Sequence, residues 1–131
     1  MFRINCELRQ STFPSIGLGV FALHDIKRGE IVWVFDEGID SKIHISLLKS
    51  LTLAQLNFLD KYAWRSGDYI YSCCDLNKFV NHSKNPNILS SKDGFDFAAK
   101  DIKAGEELFV DYSSFDDDFS SYSSKLLDSN M

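Results

Sequence analysis

The chain has 131 residues, 44% of them hydrophobic and 25% charged, a balance that is typical of one small globular domain and excludes a disordered protein. Its 14 lysines and arginines and its 19 aspartates and glutamates give a formal charge of −5 at pH 7. Binding to duplex nucleic acid normally requires a basic surface, so we expect no direct nucleic-acid partner, whereas a basic peptide would be attracted.

Membrane insertion, secretion and metal binding are not predicted. The longest apolar run, Ile31 to Phe35, is too short to span a membrane, and residues 1–7 lack the apolar core of a signal peptide. The three cysteines, Cys6, Cys73 and Cys74, are not a disulfide framework and favour a reducing, intracellular compartment, cytoplasmic or nuclear. Because no Cys-x-x-Cys spacing occurs, we expect no metal site.

Short strands are predicted before residue 40 and after residue 68. The segments Phe13–Leu23 and Ile31–Phe35 are rich in β-branched and aromatic residues, which suit buried strands. Similar segments, separated by turn residues, follow later in the chain: Tyr69–Cys73, Asn87–Ser90, Phe95–Ala99 and Leu108–Tyr112.

One amphipathic helix is predicted between these two groups of strands. Leucines recur at helical spacing in residues 46–66. Thr52 followed by Gln55 resembles a capping box, and Gly67 stands where a helix could end. We therefore expect a helix over about 53–64.

The pattern Asp-Ile-Lys-x-Gly-Glu occurs twice, at residues 25–30 and at residues 101–106. Aspartate and glycine at this spacing are typical of tight turns, so convergent turn chemistry is one explanation. The other explanation is that the domain contains two similarly built strand–turn–strand units, one near each end.

Three segments contain residue types from which a site can be built. Residues 16–22, Ile-Gly-Leu-Gly-Val-Phe-Ala, form either a bulged strand or a backbone that a ligand can approach closely. Residues 77–87 crowd hydrogen-bonding side chains around one proline, but His82 there is not paired with a nucleophile in any hydrolase motif. In residues 100–112, Glu106 and Glu107 are adjacent and should point to opposite faces, so we interpret both as turn-flanking charges.

In this order, the three segments resemble the SET domain of protein lysine methyltransferases. The stretch Phe-Val-Asn-His-Ser-x-x-Pro-Asn at residues 79–87 is highly specific. So is Asp-Ile-x-x-Gly-Glu-Glu-Leu at residues 101–108, which Asp-Tyr follows at 111–112. The resemblance extends from Gly17 to Tyr112, most of the chain.

The resemblance implies an α+β, mostly β fold, the SET-type β-clip of small antiparallel sheets with a short helical insert. Its C-terminal segment would pass beneath another loop as a pseudoknot, an exception to the rule against threaded connections. Residues 1–112 would form the domain, with the insert at about 40–67. Residues 113–131 would form a tail that is partly docked over the active site, because it keeps large apolar side chains that linkers rarely carry.

The resemblance also implies the cofactor S-adenosyl-L-methionine and a lysine side chain as the methyl acceptor. Tyr112 would be the catalytic residue beside the transferred methyl group. The cofactor would be bound by the residues that match the family's first two motifs: Ile16, Gly17, Leu18, Gly19, Asn81 and His82.

The substrate channel would include Phe35, Val110 and Phe115. Relatives commonly have an aromatic residue in place of Val110, and the smaller valine leaves room for more than one methylation. No cysteine follows Cys74, so the zinc-binding segment that many relatives carry is not expected. Tail aromatics, Phe115 with Phe119 and Tyr122, would cover the channel instead or pack on any free apolar surface.

The leading hypothesis is an active, minimal SET methyltransferase that acts on lysine in a protein substrate, a histone tail or another basic protein. The alternative is a catalytically inactive SET-like module that binds a protein partner. A third hypothesis is a β-rich interaction protein without a cofactor. A homodimer, in which a second copy completes the groove, is left open.

Overall fold

The computed structural model describes residues 1–117, so the predictions made for Phe119 and Tyr122 lie outside the described residues. Within residues 1–117 the chain forms one α-helix, α1 (Leu53–Tyr62), and three 3-10 helices, at Ile45–Ser50, Leu76–Phe79 and Tyr112–Ser114. It also forms ten short strands: β1 (Cys6–Gln10), β2 (Leu18–Ala22), β3 (Ile31–Val34), β4 (Ser41–His44), β5 (Trp64–Ser66), β6 (Tyr69–Ser72), β7 (Asn81–His82), β8 (Ile88–Ser90), β9 (Phe95–Ala98) and β10 (Phe109–Val110).

The strands of the described part form three small sheets. β1 pairs antiparallel with β2, and β4, β6 and β5 form an antiparallel sheet in the order β4-β6-β5. The largest sheet has the order β3-β9-β8-β10-β7. It is mixed rather than antiparallel throughout, because β10 runs parallel to both β7 and β8. The α+β, mostly β fold class is confirmed.

The C-terminal strand threads through the fold. β10 lies between β7 and β8, although loop 83–87 joins those two strands directly. The chain therefore passes beneath that loop, as the expected pseudoknot requires. The loop is bound to the strand below it: Ser83 N donates to Val110 O at 3.0 Å, and Phe109 N donates to Asn87 Oδ1 at 2.8 Å. This threading places the second and third motif segments side by side.

The core consists largely of aliphatic side chains from the strands and turns that flank the motif segments. Its largest fully buried side chains are Val20, Ile26, Val32, Ile102 and Leu108. Burial of each such side chain stabilises the fold by about 1.5–3 kcal/mol. Because Val20 belongs to the first motif segment and Leu108 to the third, the core fixes these two segments relative to each other.

The repeated pattern of residues 25–30 and 101–106 becomes one paired structure. Ile26 N donates to Ile102 O at 2.7 Å, and Ile102 N donates to Ile26 O at 2.8 Å. The two isoleucines are each 1% exposed. The two copies therefore meet face to face near a local two-fold axis.

The aspartates that open the two turns make the same reciprocal contact. Asp25 Oδ1 accepts a hydrogen bond from Ala104 N, and Asp101 Oδ1 accepts one from Arg28 N, both at 2.9 Å. Each turn therefore supplies an aspartate that accepts a backbone hydrogen bond from the other turn. This arrangement fits the hypothesis of two similarly built units rather than two unrelated turns.

Helix α1 begins where the sequence predicts. Thr52 accepts a hydrogen bond from Gln55 N at 3.2 Å, and Gln55 Oε1 accepts one from Thr52 N at 2.8 Å, so the capping box is confirmed. The helix ends at Tyr62, because Ala63 is extended. Gly67, which was predicted to end the helix, instead lies in the turn between β5 and β6 with a φ of 61°, a conformation that favours glycine.

The region of the predicted insert contains a sheet as well as a helix. In the sequence, β4 precedes α1, and β5 and β6 follow it, and these strands form the sheet β4-β6-β5. No residue of α1 is buried.

Among residues 1–117, no helix is long and apolar enough to cross a membrane. The same residues contain no group of three or more His, Cys, Asp or Glu side chains that could hold a metal ion.

Candidate active site

Tyr112 begins the 3-10 helix that follows β10 and lies at the centre of the site. Its hydroxyl donates a hydrogen bond to Val80 O at 2.5 Å. Burial raises the pKa of Tyr112 well above its usual value, and the negative charge of Asp116 raises it further. The hydroxyl therefore stays protonated. Since its proton is donated to Val80, the hydroxyl can take part in a further hydrogen bond only as an acceptor.

His82 positions the backbone of Tyr112 instead of acting as a base. The imidazole is buried, and its Nδ1 accepts a hydrogen bond from Tyr112 N at 3.0 Å. The two rings also pack with centroids 5.1 Å apart. A ring nitrogen that accepts from the backbone carries no proton, so this contact fixes the tautomer of His82.

Asn81 joins the first and second motif segments. Its Nδ2 donates to Leu18 O at 2.9 Å and to Glu107 Oε2 at 3.1 Å. Asn87, at the other end of the loop, donates through Nδ2 to Glu107 O at 2.8 Å. Two asparagines of the second motif therefore bind the first and third motifs.

Glu107 is the functional residue that the sequence interpretation missed. It is 5% exposed and is not a turn-flanking charge, although Glu106 beside it is exposed as predicted. Its carboxylate accepts hydrogen bonds from Ser11 Oγ at 2.9 Å, from Thr12 N at 2.7 Å and from Asn81 Nδ2 at 3.1 Å. It therefore connects the segment before β2 with the second motif. The two adjacent glutamates contain no signal that distinguishes this role.

The close approach of Glu107 explains why residue 19 is glycine. A Cβ built on Gly19 would lie 2.8 Å from Glu107 Cδ and 3.2 Å from Asn81 Nδ2. Real Cβ atoms do not approach other atoms at the shorter distance, so any other residue displaces the carboxylate. The reason for glycine at residue 17 is different. A Cβ there would meet open space, but the φ of +97° is a backbone conformation that favours glycine.

The structure therefore brings the expected cofactor residues together. Leu18 contacts Asn81 directly, Gly19 lies close enough that an added Cβ would meet Asn81 Nδ2 at 3.2 Å, and His82 contacts Tyr112. Gly17 and Ile16 precede them in the turn that leads into β2, where Ile16 N donates to Phe13 O at 2.9 Å. The exposed Phe13 ring packs edge-on against Phe109, with centroids 5.7 Å apart. An open glycine turn beside an exposed aromatic ring fits an adenosine-bearing group.

An open cavity of about 610 Å³ lies on the other side of Tyr112. The three residues expected to form a substrate channel, Phe35, Val110 and Phe115, all line it together with Tyr112. Neither segment 16–19 nor the pair Asn81 and His82 lines this cavity. Tyr112 therefore links the second motif segment to this cavity, since it contacts His82 and also lines the cavity wall.

Aromatic rings form a continuous wall of the cavity. Centroids are 6.0 Å apart between Tyr112 and Phe115, 5.6 Å between Phe115 and Trp64, and 6.3 Å between Trp64 and Trp33. Trp33 continues to Phe35 at 6.3 Å. Such a wall excludes water from an alkyl chain and attracts a cation through the ring faces.

The two cysteines whose pKa values are shifted cannot act as nucleophiles. Burial and the negative charge of Asp75 raise the pKa of Cys6 to about 11. Burial, together with nearby carboxylates, raises that of Cys73 to about 12, although a hydrogen bond from Asn77 opposes the shift. Both remain thiols at neutral pH, which excludes chemistry that needs a thiolate at these positions.

Asp96, also in the cavity wall, has a pKa raised to about 6 by burial, while a hydrogen bond from Ser90 and the N-terminal ammonium oppose the shift. Because the pKa of Asp96 is higher in the folded chain than in the unfolded chain, protonated Asp96 favours the folded state. This contribution to the free energy of unfolding is present at about pH 4 and is lost as the pH rises through about 6. We therefore expect Asp96→Asn to increase the free energy of unfolding by about 2 kcal/mol at pH 7 and to leave it unchanged at about pH 4.

Urea unfolding of the wild type and the variant across this pH range measures the effect, with Asp93→Asn, an exposed turn residue, as the matched control. Equal stability of Asp96→Asn and the wild type at pH 7 would contradict the prediction.

The fold and the site define a β-clip domain in which Tyr112 contacts the second motif segment and lines an aromatic cavity. A family model described as SET domain matches residues 17–113. The chain belongs to the SET domain family.

Two curated proteins are similar to this chain. The histone-lysine N-methyltransferase EZH2 of Chaetomium thermophilum is 30% identical over 147 residues, which cover 94% of this chain. The variant-silencing SET domain-containing protein of Plasmodium falciparum is 32% identical over 111 residues, which cover 74% of this chain. This chain spans only 9% and 4% of the length of these two relatives.

Solved structures have the same fold. The humanized mutant of the Chaetomium thermophilum Polycomb Repressive Complex 2, bound to the inhibitor GSK126, matches with a TM-score of 0.65 at 25% identity, over 86% of this chain and 15% of that chain. The same complex in an autoinhibited conformation, bound to S-adenosylmethionine, matches with a TM-score of 0.65 at 23% identity, over 97% of this chain and 17% of that chain. The SET-type β-clip is thereby confirmed.

Proposed function

We propose that this chain is an S-adenosyl-L-methionine-dependent methyltransferase that acts on the side-chain amine of lysine in a protein. The observation that carries the proposal is the shared position of Tyr112, which contacts His82 of the second motif and also forms the wall of the aromatic cavity. Membership in the SET domain family and similarity to a histone-lysine N-methyltransferase support it.

The cofactor would lie against Ile16, Gly17, Leu18 and Gly19, with Asn81 and His82 on its other side. When bound, it supplies a methyl group on a positively charged sulfonium. Glu107 holds this compartment in shape, because it fixes Asn81 and the segment before β2 at the same time. His82 contributes by holding the backbone of Tyr112.

The lysine enters from the aromatic cavity. An ordinary lysine has a pKa of about 10.4, so its amine must lose a proton before it attacks. Exclusion of water and the positive charge of the bound sulfonium would lower that pKa, because both disfavour the charged form of the amine. Tyr112 accepts a hydrogen bond from the amine through its hydroxyl oxygen, whose own proton is held by Val80, and so aligns the nitrogen for in-line displacement. No dedicated side-chain base is required.

The substrate class follows from charge and cavity size. The formal charge of −5 favours a basic protein, and a histone is the first candidate because the similar EZH2 is named a histone-lysine N-methyltransferase. Val110 is smaller than an aromatic residue and leaves room for an amine that already has a methyl group. Such substrates place the protein inside the cell, in the cytoplasm or the nucleus.

The direct test is transfer of labelled methyl groups from S-adenosyl-L-methionine to histones, to cell extract and to the protein itself. Labelled lysine in one of these substrates supports the proposal. No transfer to any of them, with a folded protein that binds the cofactor, supports the inactive module instead.

We also propose that residues 113–131 cover the cavity. Phe115 already packs against Trp64 with centroids 5.6 Å apart, and Asp117 N donates to Arg65 O at 2.8 Å, so the described chain is bound to the cavity rim up to its last residue. Phe119 and Tyr122 follow immediately. Their apolar side chains, if they continued along this rim, would exclude water from the lysine.

Ending the chain after Asp117 is therefore expected to lower kcat/KM for a protein substrate by about tenfold, because water then enters the channel. Cofactor affinity should change by less than about twofold, since the donor compartment lies on the other side of Tyr112. Steady-state kinetics and calorimetry measure the two effects, and removal of residues 128–131 alone is the control. Unchanged kcat/KM in the shorter chain would refute the covering role.

A further inference from the structure

Two lysines line the aromatic cavity on the side of helix α1. Lys61 belongs to the last turn of α1 and is exposed, whereas Lys78 belongs to the 3-10 helix Leu76–Phe79 and is half-buried. Both line the cavity together with Val80 and Tyr112. Lys78 stands two residues before Val80, whose carbonyl accepts the hydrogen bond of the Tyr112 hydroxyl, so the segment that contains Lys78 leads directly to the reacting position.

A single aromatic cluster lies beneath both ammonium groups. Its rings are those of Phe58, Tyr62 and Phe79, and neighbouring centroids are 5.0 Å and 5.6 Å apart. Lys61 Nζ lies over the Tyr62 ring, 5.2 Å from its centroid. Lys78 Nζ lies over Phe79 and Phe58, 5.9 Å and 6.0 Å from their centroids. These cation–π contacts hold two positive charges at one cluster, and they disfavour a further cation there because the ring faces are already occupied.

Within residues 1–117, no carboxylate forms an ion pair with either lysine. Asp60, the acid beside Lys61 in the sequence, lines a separate groove with Leu56 and Leu59. The acids of the cavity wall also pair with neither lysine: Glu37, Asp96, Asp116 and Asp117. Two like charges at one aromatic cluster repel each other, so a negative charge that comes from outside would be bound favourably.

We propose that Lys61 and Lys78 together bind an anionic side chain of the substrate, a carboxylate or a phosphate close in sequence to the methylated lysine. An ammonium group is a compact charge with three donors, so two of them can converge on one anion without the fixed planar geometry of a guanidinium. The subsite rests on the proposed function, since it names a feature of that function's substrate.

The charge of the whole chain does not oppose this subsite. The formal charge of −5 is spread over the chain and attracts a basic substrate, whereas the two lysines act locally at the cavity. A basic tail with one acidic or phosphorylated residue near its lysine satisfies both. The subsite therefore narrows the substrate class to lysines that have a negative charge beside them in the sequence.

The test uses peptides with one central lysine and a single glutamate at each flanking position in turn, each matched by a peptide with the neutral isostere glutamine. A second series compares phosphoserine with serine at the same positions, which separates the two sources of negative charge. Binding by fluorescence anisotropy and methyl transfer are measured separately. At one position we expect the wild type to bind an anionic peptide about tenfold more tightly than its neutral match, and high salt to reduce this preference.

Variants of the two lysines assign the preference to this subsite. The double variant with Lys61→Gln and Lys78→Gln should reduce it to less than about twofold, because both ammonium groups are lost. The double variant with Lys61→Arg and Lys78→Arg keeps both charges and should retain most of it. Lys49→Gln, at an exposed position outside the cavity wall, is the matched control and should retain all of it.

The outcomes separate the subsite from the reaction. No preference for an anionic peptide in the wild type at any position, or the same preference in the first double variant, overturns the subsite even if methyl transfer occurs. An anionic preference in binding that depends on the two lysines, without any methyl transfer, supports the subsite and contradicts the proposed function. If the double variant does not fold, the exposed Lys61→Gln alone should lower the preference by at least about threefold, and an unchanged preference in it overturns the subsite.

Discussion

Replacing Tyr112 by phenylalanine is expected to lower kcat by about 10²- to 10³-fold, the usual effect of losing one hydrogen-bonding group that acts in the transition state. Only the hydroxyl is lost, so the ring contacts with His82 and Phe115 persist. Cofactor affinity should therefore stay within about threefold of the wild type. Steady-state kinetics and calorimetry with the cofactor measure the two effects.

Tyr69→Phe is the matched control, because Tyr69 is exposed and is not part of the cavity wall. It should keep wild-type turnover. If Tyr112→Phe keeps more than half of the wild-type kcat, the hydroxyl does not align the amine and another group must do so. If Tyr112→Phe loses cofactor binding as well, the residue has a structural role and the proposed division into two compartments is wrong.

Gly19→Ala is expected to weaken cofactor binding by at least about tenfold and to lower the free energy of unfolding by about 1–3 kcal/mol. The new methyl group would lie 2.8 Å from Glu107 Cδ, so the carboxylate must move away from Ser11 and Asn81. Its hydrogen bonds then break together, because they converge on one carboxylate. Calorimetry and thermal unfolding measure the two changes.

Gly38→Ala tests whether the effect depends on position, since a Cβ there meets only Asp36 Oδ1 at 3.3 Å. That variant should bind the cofactor like the wild type. Wild-type cofactor affinity in Gly19→Ala would show that the contact between Glu107 and residue 19 does not shape the donor compartment.

Local signals in the sequence predict some elements of this fold well. The Thr52–Gln55 capping box fixes where α1 begins, because both hydrogen bonds lie within one turn of the chain. The β-branched run at 31–35 predicts β3, and the segment 95–99 predicts β9, each to within one residue. In these segments the burial pattern and the local propensity agree.

The strands that the sequence interpretation missed are polar and short. β1 has the sequence Cys-Glu-Leu-Arg-Gln and β4 has Ser-Lys-Ile-His, so neither has the apolar character of a buried strand. They form because partner strands β2 and β6 supply backbone hydrogen bonds. This information lies elsewhere in the chain, and propensity alone does not contain it.

The site shows the same difference between features that local sequence predicts and features that depend on contacts between distant segments. Each motif segment is recognisable in the sequence, and two hydrogen bonds link segments that are distant in the chain: Asn81 to Leu18 and Tyr112 to His82. The role of Glu107 could not be predicted, because its four partners depend on how distant segments meet. The adjacent carboxylate, Glu106, is exposed.

The central claim is that separate segments of one chain form a donor compartment and a lysine cavity that meet at Tyr112. A crystal structure with S-adenosylhomocysteine and a lysine peptide tests it most directly. The account predicts the donor against residues 16–19, Asn81 and His82, with its sulfur facing the hydroxyl of Tyr112 and the lysine amine in the aromatic cavity opposite. A donor bound elsewhere, or a lysine that enters from the same side as the donor, would contradict it.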